Sequence, residues 1–246
     1  MAAELRTAAF LVVGNELLSG KVQDENVIAL AKTLRDLGVR LERVVMVLDD
    51  ADVIAREVRD LASRHDLVFT SGGVGPTHDD VTVDGVARAF GLAVVTNPLM
   101  ESMLRAHYRE RCTDHHLLMA RVPEGAELAT NAEVTWPALL VQNVWLLPGV
   151  PEIFRMKLAV VRERLAGAAP FVSRAVFTKM DEPQLKPLLD AVVTAHPSVE
   201  VGSYPKWSDP SYRTKLTFDG TDAASVDAAL AAFLALLPAG EPQRVD

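Results

Sequence analysis

The chain has 246 residues, of which 49% are hydrophobic, so it is long enough to bury a sizeable core. Its formal net charge of −8 argues against a broad nucleic-acid-binding face, because such a face needs clustered Lys and Arg to replace counterions. A single cysteine, Cys112, excludes an intrachain disulfide and a cysteine-based zinc site.

Apolar runs alternate with helical patterns over the first two-thirds of the chain, and this alternation predicts βαβ units. The predicted strands are Ala8–Val13, Leu41–Leu48, Leu67–Thr70, Ala138–Val141 and Val144–Leu147. The predicted helices are Val27–Leu37, Ala51–Arg64, Thr82–Phe90, Pro98–Arg111 and Pro151–Leu165. The first apolar run is too short for a signal peptide or a membrane span, so we expect a cytoplasmic protein with no membrane partner.

Shorter patterns refine this prediction. Either Asp49 or Asp50 can cap the helix that begins at Ala51. Gln142-Asn143 predicts a hairpin turn between two short strands. Thr113–Thr135 shows no clear pattern and stays unassigned.

A domain boundary is predicted at Gly167–Pro170, which gives one domain over residues 1–167 and a small lobe over 168–246. The lobe shows a βαββα pattern that can bury one sheet face under two helices. Its predicted elements are a strand at Phe171–Thr178, a helix at Glu182–Ala195, strands at Val199–Tyr204 and Tyr212–Phe218, and a helix at Asp222–Leu236. We therefore expect an α/β fold with a mostly parallel sheet and a separate α/β lobe.

The segment with the clearest chemistry is Ser71–Asp80, which joins a buried strand to a helix. Its glycines allow the backbone to approach a ligand and to adopt positive φ, so that successive N–H groups can form an anion nest. Hydroxyl donors and the helix N-terminus add to the attraction for phosphate. The predicted phosphate-binding residues in this segment are Ser71, Gly72, Gly73, Gly75, Pro76 and Thr77.

Asp79 and Asp80 follow this nest, where two carboxylates would repel a bound phosphate unless a cation lay between them. A hard divalent ion of the Mg²⁺ type would reconcile these charges, so both residues are candidate metal ligands and catalytic residues. The alternative is that one of them caps the helix that begins at Thr82.

Two other polar turns follow predicted strands, and the carboxyl ends of parallel strands are where α/β proteins bind ligands. The first turn contains Gly14, Glu16 and Gly20, with Asn26 further along the chain. Glu16 could hold a metal or accept from ligand hydroxyls, or it could shape the loop by accepting from backbone N–H groups. The second turn contains Pro148, Gly149 and Glu152, and its alternative interpretation is a rigid connection without ligand contacts.

Taken together, these segments resemble one family. Thr70–Thr82 is similar to the Gly-Gly-x-Gly-Pro-Thr-x-Asp-Asp-x-Thr motif of the MoaB/MogA-like molybdopterin-binding domain. Gly14–Gly20 with Asn26, and Leu147–Glu152, resemble the branch that contains CinA and the related domain of some FAD synthases. The resemblance covers Thr7 to about Leu165, and the tail more weakly.

The resemblance implies a doubly wound α/β fold, a homo-oligomer and a phosphorylated small-molecule partner, either a nucleotide or a pterin. In the CinA branch it implies a metal-dependent pyrophosphatase that acts on ADP-ribose or a similar dinucleotide. In the molybdenum-cofactor branch it implies molybdopterin binding or adenylyl transfer. The chain ends at Asp246, too early for the deamidase domain that commonly follows in CinA proteins. It also has Asn15 and Glu25 where CinA proteins often have Thr.

Three functions therefore stay open at the level of sequence. The acidic pair beside the nest favours a metal and hence the first two. The first is a metal-dependent hydrolase of a nucleotide phosphoanhydride, which the CinA-like turn Pro148–Glu152 favours over the second. The second is pterin-phosphate or molybdopterin binding, with or without adenylyl transfer. The third is a non-catalytic ligand-binding module that keeps the fold.

Overall fold

The computed structural model describes residues 6–167 and 169–246 of the chain. The chain is divided into two compact units, and the boundary lies between residues 168 and 169. The predicted domain limits also include residues 1–5 and 168, which lie outside the described residues. Each unit has a main sheet and a hydrophobic core of its own.

The first unit alternates strands and helices along most of its length. Its strands are β1 (Arg6–Val13), β2 (Val39–Val47), β3 (Leu67–Ser71), β4 (Val94–Thr96), β5 (Arg121–Pro123), β6 (Glu127–Ala129), β7 (Ala138–Val141) and β8 (Val144–Leu147). Its helices are α1 (Asn15–Leu18), α2 (Asn26–Asp36), α3 (Ala51–Arg64), α4 (Thr82–Phe90), α5 (Pro98–Tyr108), α6 (Asp114–Leu117) and α7 (Pro151–Leu165). Short 3₁₀ turns occupy Arg109–Arg111 and Leu118–Ala120.

The six-stranded sheet of this unit has the order β2-β1-β3-β8-β7-β6. The first four of these strands run parallel to one another, whereas β7 and β6 are antiparallel additions at one edge. Phe69 in β3 pairs with Phe10 on one side and with Trp145 on the other. The predicted doubly wound, mostly parallel α/β sheet is confirmed.

Helices cover both faces of this sheet, which explains why β1 reads as an unbroken apolar run rather than an alternating one. Ala9, Leu11 and Val13 pack in the core that also contains residues of α3 and α4. Ala8, Phe10 and Val12 pack in the opposite core with residues of α2 and α7. Phe10 and Phe154 meet there with ring centroids 5.8 Å apart.

Local predictions are confirmed at some points and wrong at others. Asp50, and not Asp49, caps α3, because its side chain accepts from the N–H groups of Asp52 and Val53. β7 and β8 form the predicted hairpin, with Gln142 at φ 53°. The helix predicted to reach Arg111 ends at Tyr108 instead, because Arg109 takes φ 50° and leaves the helical conformation.

The second unit contains β9 (Val172–Thr178), α8 (Glu182–Ala195), β10 (Glu200–Pro205), β11 (Thr214–Gly220), α9 (Ala223–Leu236) and β12 (Arg244–Val245). The four strands form an antiparallel sheet of order β10-β11-β9-β12. A core that includes Val176, Leu185, Phe218 and Phe233 joins this sheet to its two helices. The predicted βαββα pattern is present, with β12 as an unpredicted additional strand. Among the described helices of both units, none combines the length and the hydropathy that crossing a bilayer requires.

Candidate functional site

Three loops meet at one edge of the parallel sheet because β1, β3 and β8 are neighbours in it. The loops begin at Gly14, Gly72 and Pro148, at the carboxyl ends of these strands. Gly14 N–H donates to Val47 O at 3.1 Å and Gly72 N–H to Leu147 O at 3.2 Å, which ties each loop to a neighbouring strand. A cavity of about 660 Å³ opens between the loops.

The glycine-rich loop turns back toward α4 through two consecutive residues with positive φ, Gly72 at 97° and Gly73 at 66°. Their carbonyl groups are held by Thr82, whose hydroxyl donates to Gly72 O at 2.8 Å and whose N–H donates to Gly73 O at 2.9 Å. A side chain at Gly72 would overlap the carbonyl oxygen of Val13. Glycine at this position is therefore required both by the backbone conformation and by the close approach of β1.

The backbone N–H groups of this loop differ in what they bind. Gly72 N–H is used by Leu147 O, and Thr77 N–H donates to Asp80 Oδ2 at 2.7 Å. Within residues 6–167 the N–H groups of Gly73, Val74 and Gly75 have no protein acceptor, and all three residues line the cavity. Of the segment Ser71–Thr77, predicted to form an anion nest, the three consecutive residues Gly73 to Gly75 thus keep N–H groups without a protein acceptor among residues 6–167.

Asp79 and Asp80 line the cavity beside this nest. Asp79 Oδ1 lies 2.7 Å from the hydroxyl of Thr77, and Asp80 Oδ2 contacts the same hydroxyl. The alternative that an aspartate caps α4 is wrong, because the N-cap residue is Val81 and the helix has no side-chain cap hydrogen bond. Asp80 instead stabilises the loop itself, through the N–H of Thr77.

The hydroxyl of Thr77 carries one proton and can donate to only one of the two carboxylates. The oxygen of the other carboxylate then faces a lone pair of the Thr77 hydroxyl, which repels it. A cation bound between Asp79, Asp80 and Thr77 would relieve this repulsion. The hydrogen bond from the Thr77 hydroxyl contributes most to holding the pKa of Asp79 below its ordinary value. The backbone N–H of Asp79 and the charge of His78 lower this pKa further by smaller amounts. Asp79 is therefore ionised at neutral pH.

Asn26 lies in the interior of the unit and joins two of the loops to each other. It is 3% exposed, and its Nδ2 donates to Ser71 Oγ and to Gly149 O, both at 2.8 Å. A Cβ on Gly149 would lie 3.2 Å from the Cα of Gly72, so the two backbones approach closely here. Asn26 and Ser71 do not line the cavity; they position the loops that do.

The remaining predicted site residues separate into two groups. Gly14, Glu16, Pro148 and Gly149 line the cavity. The carboxylate of Glu16 lies against Gly14, where a Cβ would be 2.5 Å from Glu16 Oε1. The lining does not include Gly20, Pro76 or Glu152, which are exposed residues at the end of α1, at the tip of the glycine loop and in the first turn of α7.

Sequence reasoning missed the cationic and aromatic part of the cavity. Arg121 in β5 lines it and donates to Asp84 Oδ1 at 2.9 Å. Lys157 in α7 also lines it, is 3% exposed and donates to the carbonyl oxygen of Trp136. Burial lowers the pKa of Lys157 from 10.5 to about 8. Its position one turn after Phe154, on the apolar face of α7, is the pattern that could have identified it.

The carboxylates of the cavity can contribute to a metal site but do not complete one. Among the described residues no group of three or more His, Cys, Asp and Glu side chains is arranged to hold a metal ion. Protein ligands to a cation at Asp79 and Asp80 would therefore be few. Mg²⁺ is commonly held in this way, by one or two carboxylates together with the substrate's phosphates.

Comparison with known proteins agrees with this division of the chain. Residues 9–166 match the family described as "Probable molybdopterin binding domain", and residues 170–246 match the family described as "FAD synthase, middle domain". A protein of Archaeoglobus fulgidus is 34% identical over 226 residues, which cover 92% of this chain and 95% of that protein.

Two further relatives connect the chain to named proteins. A "Probable FAD synthase" of Caenorhabditis elegans is 30% identical over 94% of this chain, and the chain spans about half, 50%, of that protein's length. The crystal structure of CinA from Thermoplasma acidophilum, described as of unknown function, has a TM-score of 0.60 and 31% identity, and it covers 66% of this chain and 100% of its own. The chain thus belongs to the molybdopterin-binding-domain family, which its first unit matches over the sheet and the cavity described above.

Proposed function

We propose that the cavity binds a nucleotide by its phosphates and hydrolyses a phosphoanhydride bond, as in ADP-ribose, in a metal-dependent reaction. The observation that supports this most directly is the placement of backbone N–H groups without a protein acceptor beside two carboxylates. Gly73, Val74 and Gly75 offer their N–H groups to the same cavity that Asp79 and Asp80 line. A phosphate fits the N–H groups of Gly73–Gly75, and a cation fits between that phosphate and the carboxylates of Asp79 and Asp80.

The nest consists of backbone N–H groups of the loop itself and needs no side chain to bind the phosphate. The positive φ of Gly72 and Gly73 directs the loop so that successive N–H groups line the cavity, and α4 begins a few residues later. Backbone dipoles fixed in advance stabilise negative charge at little reorganisation cost. We therefore assign phosphate binding to the N–H groups of Gly73–Gly75.

A divalent cation fits the residues beside the nest. Asp79 and Asp80 would hold it together with the Thr77 hydroxyl, because two carboxylate oxygens converge there on a single hydroxyl proton. These are hard oxygen donors, which suit Mg²⁺ and similar ions. When bound, such an ion neutralises charge on the phosphates and lowers the pKa of a coordinated water.

The rest of the cavity has the character of a site for a ring. Met100, Met119, Trp136 and Ile153 line it together with the cations Arg121 and Lys157. These apolar side chains exclude water from one side of the ligand, and Arg121 remains fixed by Asp84. A phosphorylated heterocycle matches this combination of apolar and cationic lining.

Molybdopterin binding or adenylyl transfer is the second candidate. The match of residues 9–166 to the molybdopterin-binding family favours it. A pterin ring suits the apolar part of the cavity as well as an adenine ring does. The two candidates therefore differ in the reaction at the phosphate, which is hydrolysis in the first and binding or adenylyl transfer in the second.

A substrate panel separates these functions. We would assay ADP-ribose, FAD, NAD, and molybdopterin in the presence of ATP, each with several divalent ions, with the Asp79→Asn variant as a control that keeps the size of the side chain. The expected result is metal-dependent release of AMP from ADP-ribose by the wild-type protein and none by the variant. Transfer of AMP to molybdopterin from ATP would support the second candidate instead, and binding without turnover of any compound would indicate a non-catalytic module.

A further inference from the structure

Lys157 occupies a position in α7 that belongs to the apolar core. It is 3% exposed, and Phe154 and Val161, one turn away on either side, are fully buried. Lysine is rarely buried to this extent unless it has a partner of opposite charge. The presence of a cation on this face therefore needs an explanation.

The protein satisfies this side chain only in part. An ammonium group has three N–H donors, and the one acceptor of Lys157 in the described part of the chain is the carbonyl oxygen of Trp136. Over residues 6–167 it forms no ion pair with a carboxylate. Lys157 also lines the cavity, so its remaining donors are available to a ligand.

Burial without a counter-charge disfavours the charged form, and the pKa of Lys157 accordingly falls to about 8. A methionine of similar length would fill the same space without this penalty. An anionic ligand group would supply the missing charge and two further acceptors. The cost to the free protein is then recovered when the ligand is bound.

We infer that Lys157 is a ligand-binding residue of the cavity and that its ammonium donates to an anionic group of the ligand, such as a phosphate oxygen. This role is separate from that of the Gly73–Gly75 N–H groups, which bind through the backbone. The inference rests on the proposed function only in taking the ligand to be a phosphorylated compound.

The other charged groups of the cavity are Glu16, Asp49, Asp79, Asp80 and Arg121. Carboxylates and guanidinium groups keep their charge between about pH 7 and pH 9.5. Each of the two phosphates of ADP-ribose has a single acidic oxygen and also keeps its charge, whereas inorganic pyrophosphate loses a proton in this window, so the pH profile is measured with ADP-ribose. Within this window Lys157 is the lining residue that changes its charge. A loss of anion binding over this range therefore reports on Lys157.

The test measures binding of ADP-ribose and of inorganic pyrophosphate by calorimetry and by thermal shift, with EDTA present so that no hydrolysis occurs. Lys157→Met removes the charge and keeps the volume, and Lys157→Arg keeps the charge. Lys32→Met, a substitution of an exposed lysine in α2, is the matched control. Because the pH profile of the wild-type protein needs no variant, it tests the inference even if a variant folds poorly.

Lys157→Met is expected to weaken binding by about tenfold to a hundredfold, the effect of losing a charged hydrogen bond. The wild-type affinity should fall as the pH rises through about 8, whereas the affinity of Lys157→Met should not change. Equal affinities and equal pH profiles in the two proteins would overturn the inference while leaving the proposed function intact. Normal Lys157-dependent binding without metal-dependent hydrolysis in the substrate panel would overturn the proposed function alone. Failure of both probes to bind the wild type in EDTA would overturn the inference alone, because EDTA removes the cation on which the proposed function depends.

Discussion

At the scale of single residues, the two aspartates of the glycine loop have different surroundings although they are adjacent in sequence. Asp80 accepts from the backbone N–H of Thr77, so it contributes to the shape of the loop. Asp79 contacts the Thr77 hydroxyl, and its pKa is held below the ordinary value. Loss of either carboxylate should therefore affect the protein in a different way.

We predict that Asp79→Ala abolishes metal-dependent turnover and leaves the melting temperature almost unchanged. A carboxylate that holds a cation contributes several kcal/mol to transition-state stabilisation, roughly as metal-ion catalysis does in general. Asp80→Ala should lower both turnover and stability, the latter by about 1 kcal/mol, because a turn loses its side-chain acceptor. ADP-ribose hydrolysis and thermal unfolding, measured on both variants, separate the two roles. Normal turnover in Asp79→Ala would make Asp79 a structural residue.

Asn26 does not line the cavity, but its hydrogen bonds connect two of the loops that do. Asn26→Ala removes the donor to the buried Ser71 Oγ and to Gly149 O in the neighbouring turn, so both acceptors lose a hydrogen bond. We expect the free energy of unfolding to fall by about 1–3 kcal/mol, and the affinity for ADP-ribose to fall as well because two loops lose their connection. Urea unfolding and calorimetry measure these effects. An unchanged affinity would show that the loops hold their positions independently.

At the scale of elements, long patterns were predictable from the sequence and short ones were not. The unbroken apolar run of β1, and the apolar stripe and the cap of α3, extend far enough to be recognised. The strands β4, β5 and β6 have three residues each, too few to show any period. Arg121 was missed for this reason, because it lies in β5 within a segment that had no assignment.

The conformation of the glycine loop was predictable because it depends on residues that are close together in the sequence. Three glycines between a buried strand and a helix already indicate positive φ and close approach. Which N–H groups remain available to a ligand was not predictable, because Leu147 and Asp80, which use two of them, come from a neighbouring strand and from the loop's own turn. Pairing between distant segments determines that part of the site.

We predict that Gly72→Ala destabilises the protein far more than Gly20→Ala. Both glycines have positive φ, 97° and 71°, so both substitutions strain the backbone by about 1–2 kcal/mol. Around Gly20 no atom lies within 4 Å of the added Cβ, whereas at Gly72 the Cβ overlaps the Val13 carbonyl oxygen. Gly20→Ala is therefore a control for strain alone. Similar unfolding midpoints in urea for the two variants would contradict the close approach at Gly72.

At the scale of the whole molecule, each hydrophobic core is built from the residues of one unit, so we expect a core substitution to act within its own unit. Phe218→Ala should destabilise the unit that begins at Ala169 by about 3–5 kcal/mol, because the ring is fully buried there. Hydrogen exchange should then increase in β9 and β11 while ADP-ribose binding stays unchanged. Phe154→Ala, which removes a buried ring from α7, should instead weaken binding. Increased exchange in β1 and β3 of Phe218→Ala would contradict the separation.

The stability of the whole molecule should also depend on pH through Lys157. Its pKa is about 8 in the folded protein and 10.5 ordinarily, so between these values the unfolded chain binds more protons than the folded one. The free energy of unfolding should therefore rise with pH across this window, with a total gain on the order of 3 kcal/mol from this residue. Urea unfolding at several pH values should show the rise in the wild-type protein. Since other groups also titrate, the measurement is the difference from Lys157→Met, which should already be more stable near pH 7 and should lack this increase. Parallel pH profiles of the two proteins would show that Lys157 is solvated in the free protein and carries no penalty for burial.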